Sequence, residues 1–288
     1  MQSTPKQISN SNTTNMNTLY IGVITAKVLL RTGGDIDPRF ATCKNGVNQS
    51  PINLTGFTES ELPAITFNYH LSSSDVLNNG HTIQTNVKEG SSITVDGKTF
   101  ELKQFHFHSP SENNINGTSF PLEAHFVHAS TDGKLAVVAV MFEEGVENKA
   151  LSELWAKMPQ HVGDTHPIDA KDLDALLPKD RDYYRFNGSL TTPPCTEGVR
   201  WLVMKKPVTL SKAQIETFKK VMHHHNNRPI QPTNARAIMQ QYYRFTKNTP
   251  LSTCSVCGNW SYIAASLTSC VCVNVSKSLA KVLGLHEI

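Results

Sequence analysis

The chain has 288 residues, is 39% hydrophobic and carries a formal charge of +3. That length and composition can bury one large core without division into domains, and with no run of about 18 apolar residues no transmembrane helix is expected. The charge is weak and sits at the ends, with three Lys/Arg against two Asp/Glu in residues 1–38 and four against one in 242–288, so neither nucleic acid nor an anionic membrane is expected as a partner.

Residues 1–32 are rich in Asn, Ser and Thr, with Lys6 the one positive charge ahead of the apolar patch 19–26. They read either as a degenerate secretory signal or as a disordered polar extension. A loop rich in Asn and Gly runs through Cys43 to Leu54. Alternating segments then predict strands over 65–69, 81–87, 93–95 and 100–108. Asn79-Gly80 is a turn that sets His81 at a strand start, near solvent.

The segment Gln104-Phe105-His106-Phe107-His108 and the later Glu123-Ala124-His125-Phe126-Val127 alternate polar with apolar residues. Period two puts Gln104, His106 and His108 on one face of the first strand, and Glu123, His125 and Val127 on one face of the second. Antiparallel pairing would bring three imidazoles to one point and leave one side open. Three protein ligands with a free fourth position suit a catalytic zinc, whereas structural zinc sites are closed by four ligands rich in Cys. A lone His on a strand is ordinarily packed or solvated, and His-x-His is a weak sign by itself. Gln104 and Glu123 strengthen it, because each stands two residues before an imidazole and on its face, placed to hold the far ring nitrogen.

The apolar run 135–142 predicts a strand buried on both faces at the centre of the sheet. Ala150, Leu151, Leu154, Trp155 and Met158 make a helical stripe, and Ser211-x-x-Gln214 is a capping box opening a helix through Val221. His223-His224-His225 cannot all face one point and reads as a solvated loop. In the tail, Cys254-x-x-Cys257 and Cys270-x-Cys272 imitate a four-thiolate site, but the spacing of the second pair departs from such sites and no metal is assigned there.

Several motifs stand in one order along the chain: Gln49-Ser50-Pro51-Ile52-Asn53-Leu54, Asn78-Asn79-Gly80-His81-Thr82, the two histidine segments with Ser109-Pro110-Ser111-Glu112, Gly188-Ser189-Leu190-Thr191-Thr192-Pro193-Pro194-Cys195 through Trp201, and Asn226-Asn227-Arg228-Pro229-Ile230-Gln231-Pro232. Together they resemble the α-class carbonic anhydrases of the bacterial, secreted type. The resemblance covers residues 33–241 as one domain, between a non-matching extension (1–32) and a non-matching tail (242–288). It implies a mainly β fold with a few short helices, built on a large central, mostly antiparallel twisted sheet.

The activity implied is that of a zinc lyase, the reversible hydration of carbon dioxide to bicarbonate and a proton. By this resemblance Zn2+ is held by His106, His108 and His125, with Gln104, Glu123 and Asn226 behind them. Thr191 orients the attacking zinc hydroxide and gives its own hydroxyl proton to Glu112, which when ionised only accepts. Val127, Val137, Leu190, Thr192 and Trp201 line the carbon dioxide pocket, and His81 shuttles protons, an exposed imidazole titrating near 6.5. Cys43 and Cys195 form the family's disulfide, which implies a periplasmic or secreted protein. Small anions and sulfonamides are the expected inhibitors, and a homodimer is left open.

Three positions depart from the pattern. Asn113 stands where the family commonly has His, so an unsatisfied buried partner is expected, at about 1–3 kcal/mol. Gly33 replaces a Trp and Ile24 a Tyr, which implies altered coding frame or gene boundaries at the two ends of the match. Two competing readings are a catalytically weak carbonic-anhydrase-like binding module and, from His106-x-His108-x-x-x-Glu112, a cupin-type metal protein.

Overall fold

The computed structural model describes residues 38–70, 72–170 and 173–242. The expectations for residues 1–32, for Gly33, and for the tail with Cys254, Cys257, Cys270 and Cys272 lie outside these residues. The strands are β1 (Asn53–Leu54), β2 (Thr58–Ser60), β3 (Thr66–Asn68), β4 (Ser72–Asn78), β5 (Ile83–Asn86), β6 (Ser92–Val95), β7 (Lys98–His108), β8 (Asn114–Ile115), β9 (Leu122–Ala129), β10 (Leu135–Glu144), β11 (Thr165–Ala170), β12 (Tyr183–Ser189), β13 (Glu197–Met204), β14 (Val208–Leu210) and β15 (Met239–Gln241). The α-helices are α1 (Ala41–Asn45), α2 (Ser152–Ala156) and α3 (Lys212–Met222).

A 13-stranded sheet runs in the order β11-β4-β5-β7-β9-β10-β13-β12-β15-β2, with β14 beside β10 and β6 joining β3 to β7. Most pairings are antiparallel; β10–β13, β10–β14 and β15–β2 run parallel. The apolar run of β10 does lie mid-sheet, with Ala136 to Phe142 all buried.

The sheet separates two apolar clusters. Phe100, Leu102, Phe105, Phe107, Phe126, Val138, Val140 and Phe142 face the larger one, which α3 closes with Ile215, Phe218, Val221 and Met222. Each such side chain is worth about 1.5–3 kcal/mol when fully buried. The opposite face holds a smaller cluster around Val137, Ala139, Met141, Phe186 and Trp201.

In β7 the larger cluster takes even-numbered residues at Phe100 and Leu102 but odd-numbered ones at Phe105 and Phe107. Strict alternation forbids that. The register against β9 shifts between Leu102 and Gln104, and this one-residue bulge at Lys103 switches the parity. Gln104, His106 and His108 are thereby turned to the smaller cluster's face while the phenylalanines stay in the core.

The capping box of α3 forms as expected: Ser211 Oγ accepts the Gln214 N–H at 3.2 Å, and Gln214 Oε1 accepts the Ser211 N–H at 3.0 Å. The stripe from Ala150 to Met158 is split between a 3-10 turn and the short α2, and Ala150 is exposed rather than packed. His223 caps α3 in the left-handed conformation, and His223 and His225 are exposed.

Candidate metal centre

β7 and β9 pair antiparallel with His106 directly opposite His125 and His108 opposite Glu123. One ring nitrogen from each of His106, His108 and His125 lies within 4.8 Å of the other two. Each remaining nitrogen has a holder. His106 Nδ1 is 2.7 Å from Gln104 Oε1, His108 Nδ1 is 3.0 Å from the Asn226 carbonyl, and His125 Nε2 is 2.9 Å from Glu123 Oε1. Carbonyl and carboxylate oxygens only accept, so these nitrogens carry the protons. Nε2 of His106, Nε2 of His108 and Nδ1 of His125 therefore present lone pairs to one another.

Burial and charge act differently on the three rings. Burial lowers the pKa of His106 well below 6.5, and the neighbouring charges of His108 and His125 add to it. Burial likewise lowers that of His108, against the opposing Glu112. For His125 burial pulls down too, but Glu123, through charge and contact, outweighs it and the pKa is raised. Burial pushes Glu123 up, yet His125 and the hydrogen bonds from Asn113 leave it lowered, so Glu123 stays ionised.

Glu123 is held from behind. Its Oε2 accepts the N–H groups of Glu112 at 2.7 Å and Asn113 at 2.8 Å, and its Oε1 accepts Asn113 Nδ2 at 2.8 Å. Asn113 Oδ1 accepts the Ile52 N–H at 3.1 Å. The unsatisfied partner expected at Asn113 is thus corrected: both ends of the amide have partners, and it orients the carboxylate beside His125.

Glu112 Oε1 accepts the Arg228 N–H at 2.8 Å, and its Oε2 is buried without a hydrogen-bond partner. That oxygen is turned toward the imidazoles, 3.5 Å from His108 Nε2 and 3.8 Å from His125 Nδ1. Thr191 is buried, and Thr192 is exposed. Asn226 does more than hold His108: its Nδ2 donates to the carbonyls of His81 and Phe107, both at 2.9 Å, and its Oδ1 accepts the Ser109 N–H at 2.8 Å.

His81 is exposed and follows Gly80, whose φ of +82° a side chain would strain. Asn79 Oδ1 accepts the N–H groups of His81 and Thr82. Partial burial lowers the His81 pKa. Val127, Val137, Leu190 and Trp201 meet in the smaller apolar cluster, and the Trp201 ring stands edge-on to His125 at 4.9 Å. The turn carrying Thr191 is pinned by a reciprocal pair, the Ser50 N–H to Ser189 Oγ at 2.9 Å and the Ser189 N–H to Ser50 Oγ at 3.1 Å. Gly188 beside it leaves no room for a Cβ, which would fall 2.1 Å from Ser50 Oγ. Cys43 and Cys195 form a disulfide, and Gln49 Nε2 donates to the Cys195 carbonyl at 3.1 Å.

Ser50 and Arg228 have no role that the sequence alone assigns, although both stand inside conspicuous motifs. Polar residues within a buried segment are the signal that marks them.

Fold and site together define a protein whose mostly antiparallel sheet gathers three imidazoles into a cluster of the kind that can hold a metal ion. The family model for eukaryotic-type carbonic anhydrase matches residues 37–242, and the chain belongs to that family. A carbonic anhydrase of Pectobacterium atrosepticum is 48% identical over 207 residues, covering 72% of this chain and 85% of the relative. One from Neisseria gonorrhoeae is 50% identical over 208 residues, covering 72% and 82%. Among solved structures, the α-carbonic anhydrase of Thermovibrio ammonificans in complex with the inhibitor sulfanilamide superposes with a TM-score of 0.72 at 47% identity, over 73% of this chain and 94% of that one.

Proposed function

We propose that this chain catalyses the reversible hydration of carbon dioxide to bicarbonate and a proton, with one zinc ion held by His106, His108 and His125. The observation that carries the reading is the three-imidazole cluster in a chain of this family, each far nitrogen within 3.0 Å of an oxygen. The donor set fits the ion. Three imidazole nitrogens with no fourth protein ligand among the described residues match the pattern of catalytic zinc, and His108 Nε2 is a buried atom with no hydrogen-bond partner, as an atom reserved for a cation would be. Bound there, zinc supplies the Lewis acidity that brings the pKa of a water to about 7, a value for which carbonic anhydrase is itself the reference case.

The chain's own groups do the rest. Gln104, Asn226 and Glu123 fix the ring angles and tautomers. Glu112 Oε2 is the free acceptor inside the site; with the Thr191 hydroxyl proton given to it, the Thr191 oxygen is left to accept a hydrogen bond from the attacking group. The wall of Val127, Val137, Leu190 and Trp201 suits an apolar substrate and excludes water. His81, exposed at the head of β5, takes the released proton to solvent. The disulfide supports export to an oxidising compartment, periplasmic or extracellular. Sulfonamides should bind in this site; the Thermovibrio relative was solved in complex with the inhibitor sulfanilamide. A stopped-flow hydration assay on zinc-loaded protein tests the reading: turnover that sulfanilamide abolishes is expected, and zinc-loaded protein without turnover would overturn it.

A further inference from the structure

Arg228 is 3% exposed, a burial an arginine adopts only when its charge and donors are met. Its guanidinium reaches the loop before β1: Nη1 donates to Gln49 Oε1 at 2.9 Å and to the Ser50 carbonyl at 2.7 Å, and Nη2 donates to the Cys43 carbonyl at 3.0 Å. Its main chain points the other way, with its N–H on Glu112 Oε1. The loop it grips continues to the reactive turn. Gln49 holds the Cys195 carbonyl, Ser50 is locked to Ser189, and Cys43 is bonded to Cys195. Glu112 and Thr191 come from remote parts of the chain, and Arg228 touches the supports of both.

We propose that Arg228 is a positioning residue that sets the approach of Glu112 to the Thr191 hydroxyl. Its main chain occupies one carboxylate oxygen and so leaves only Oε2 for the site, while its planar fork ties that main chain to the loop that pins the Thr191 turn. Lysine cannot replace the fork, because one ammonium does not span three acceptors held in plane. The inference rests on the hydration reading above. The plain alternative is a buried arginine that merely satisfies carbonyls and supports the fold.

A double-mutant cycle on full-length zinc-loaded protein separates the two, with kcat/KM for carbon dioxide measured alongside zinc content. Arg228→Met in the native background should lower kcat/KM about tenfold or more with zinc retained, since misplacing a reacting group by about 1 Å costs on that order or beyond. In a Glu112→Gln background the same change should cost less than about twofold, because the group it positions is already disabled. Where Arg228→Met does not fold, Arg228→Lys is read by the same cycle. An equal loss in both backgrounds, or no loss in the native one, overturns the inference while leaving the hydration reading intact. Native zinc-loaded protein that does not hydrate carbon dioxide overturns both.

Discussion

His125 and His128 lie three residues apart on β9, 2% and 0% exposed, and face opposite sides of the sheet. His128 enters the larger core, stacked on the Tyr69 ring at 6.0 Å. Its Nε2 is 2.9 Å from the Tyr69 hydroxyl and its Nδ1 3.3 Å from the Ala136 carbonyl, so Nδ1 carries the proton and Nε2 accepts from the phenol. Burial drives its pKa down to about 3, only partly opposed by the Ala136 and Phe126 carbonyls. His125 meets the same desolvation, but Glu123 reverses its effect. Burial alone makes an imidazole inert, and a held carboxylate behind it makes the ring a basic, fixed donor.

The largest effect expected from this contrast concerns acid. The folded pKa of His128 is below the unfolded value of 6.5, so the unfolded chain binds a proton that the folded chain does not. Stability from this group is complete above about pH 6.5, falls as the pH drops, and is fully lost near pH 3. At 1.36 kcal/mol per unit the range amounts to roughly 5 kcal/mol. Urea unfolding of the zinc-free protein between pH 7 and 4 should show this contribution beside those of His106 and His108, whose pKa values are also lowered, and His128→Gln should make the slope shallower; an unchanged slope would break the contrast.

Smaller is the effect of removing the carboxylate. Glu123→Gln should weaken zinc by about 10–100-fold, the usual cost of losing such a support, as read by competition with a chelator. Tyr69→Phe leaves the buried Nε2 of His128 without its donor and should destabilise by about 1–3 kcal/mol, with zinc affinity and hydration unchanged. Any loss of zinc in that variant would mean that the two faces are coupled. The least effect is expected at His81, which touches neither imidazole. His81→Ala should slow hydration only in dilute buffer, and added imidazole should restore it. Identical dependence on buffer in both proteins would make His81 an ordinary surface residue.

Alternation makes the two faces of β9 legible from Leu122 to Phe126, where Glu123 and His125 alternate with apolar residues, but not at Val127 and His128, where the polarity reverses. β7 is legible only around its histidines: the bulge at Lys103 changes parity mid-strand, and a phase change of one residue leaves no mark unless the core side is known. β4 escapes a sequence reading, since Ser, Asp and Asn occupy most of it and its pairing with β5 and β11 supplies what its composition does not. The family resemblance implies a misfit at Asn113, and the folded chain departs from it. Asn113 meets Ile52 and Glu123 with the short reach of an amide, and Arg228 holds the oxygen of Glu112 that faces away from the imidazoles. Such contacts between remote segments depend on loop paths that no local pattern encodes.

Metal analysis of purified native, His125→Ala and His128→Ala proteins, each assayed for carbon dioxide hydration, puts the central claim to its most direct test. One zinc per chain with turnover is predicted for the native protein, neither zinc nor turnover for His125→Ala, and zinc with turnover for folded His128→Ala. Stoichiometric zinc in His125→Ala, or zinc without turnover in the native protein, would contradict it.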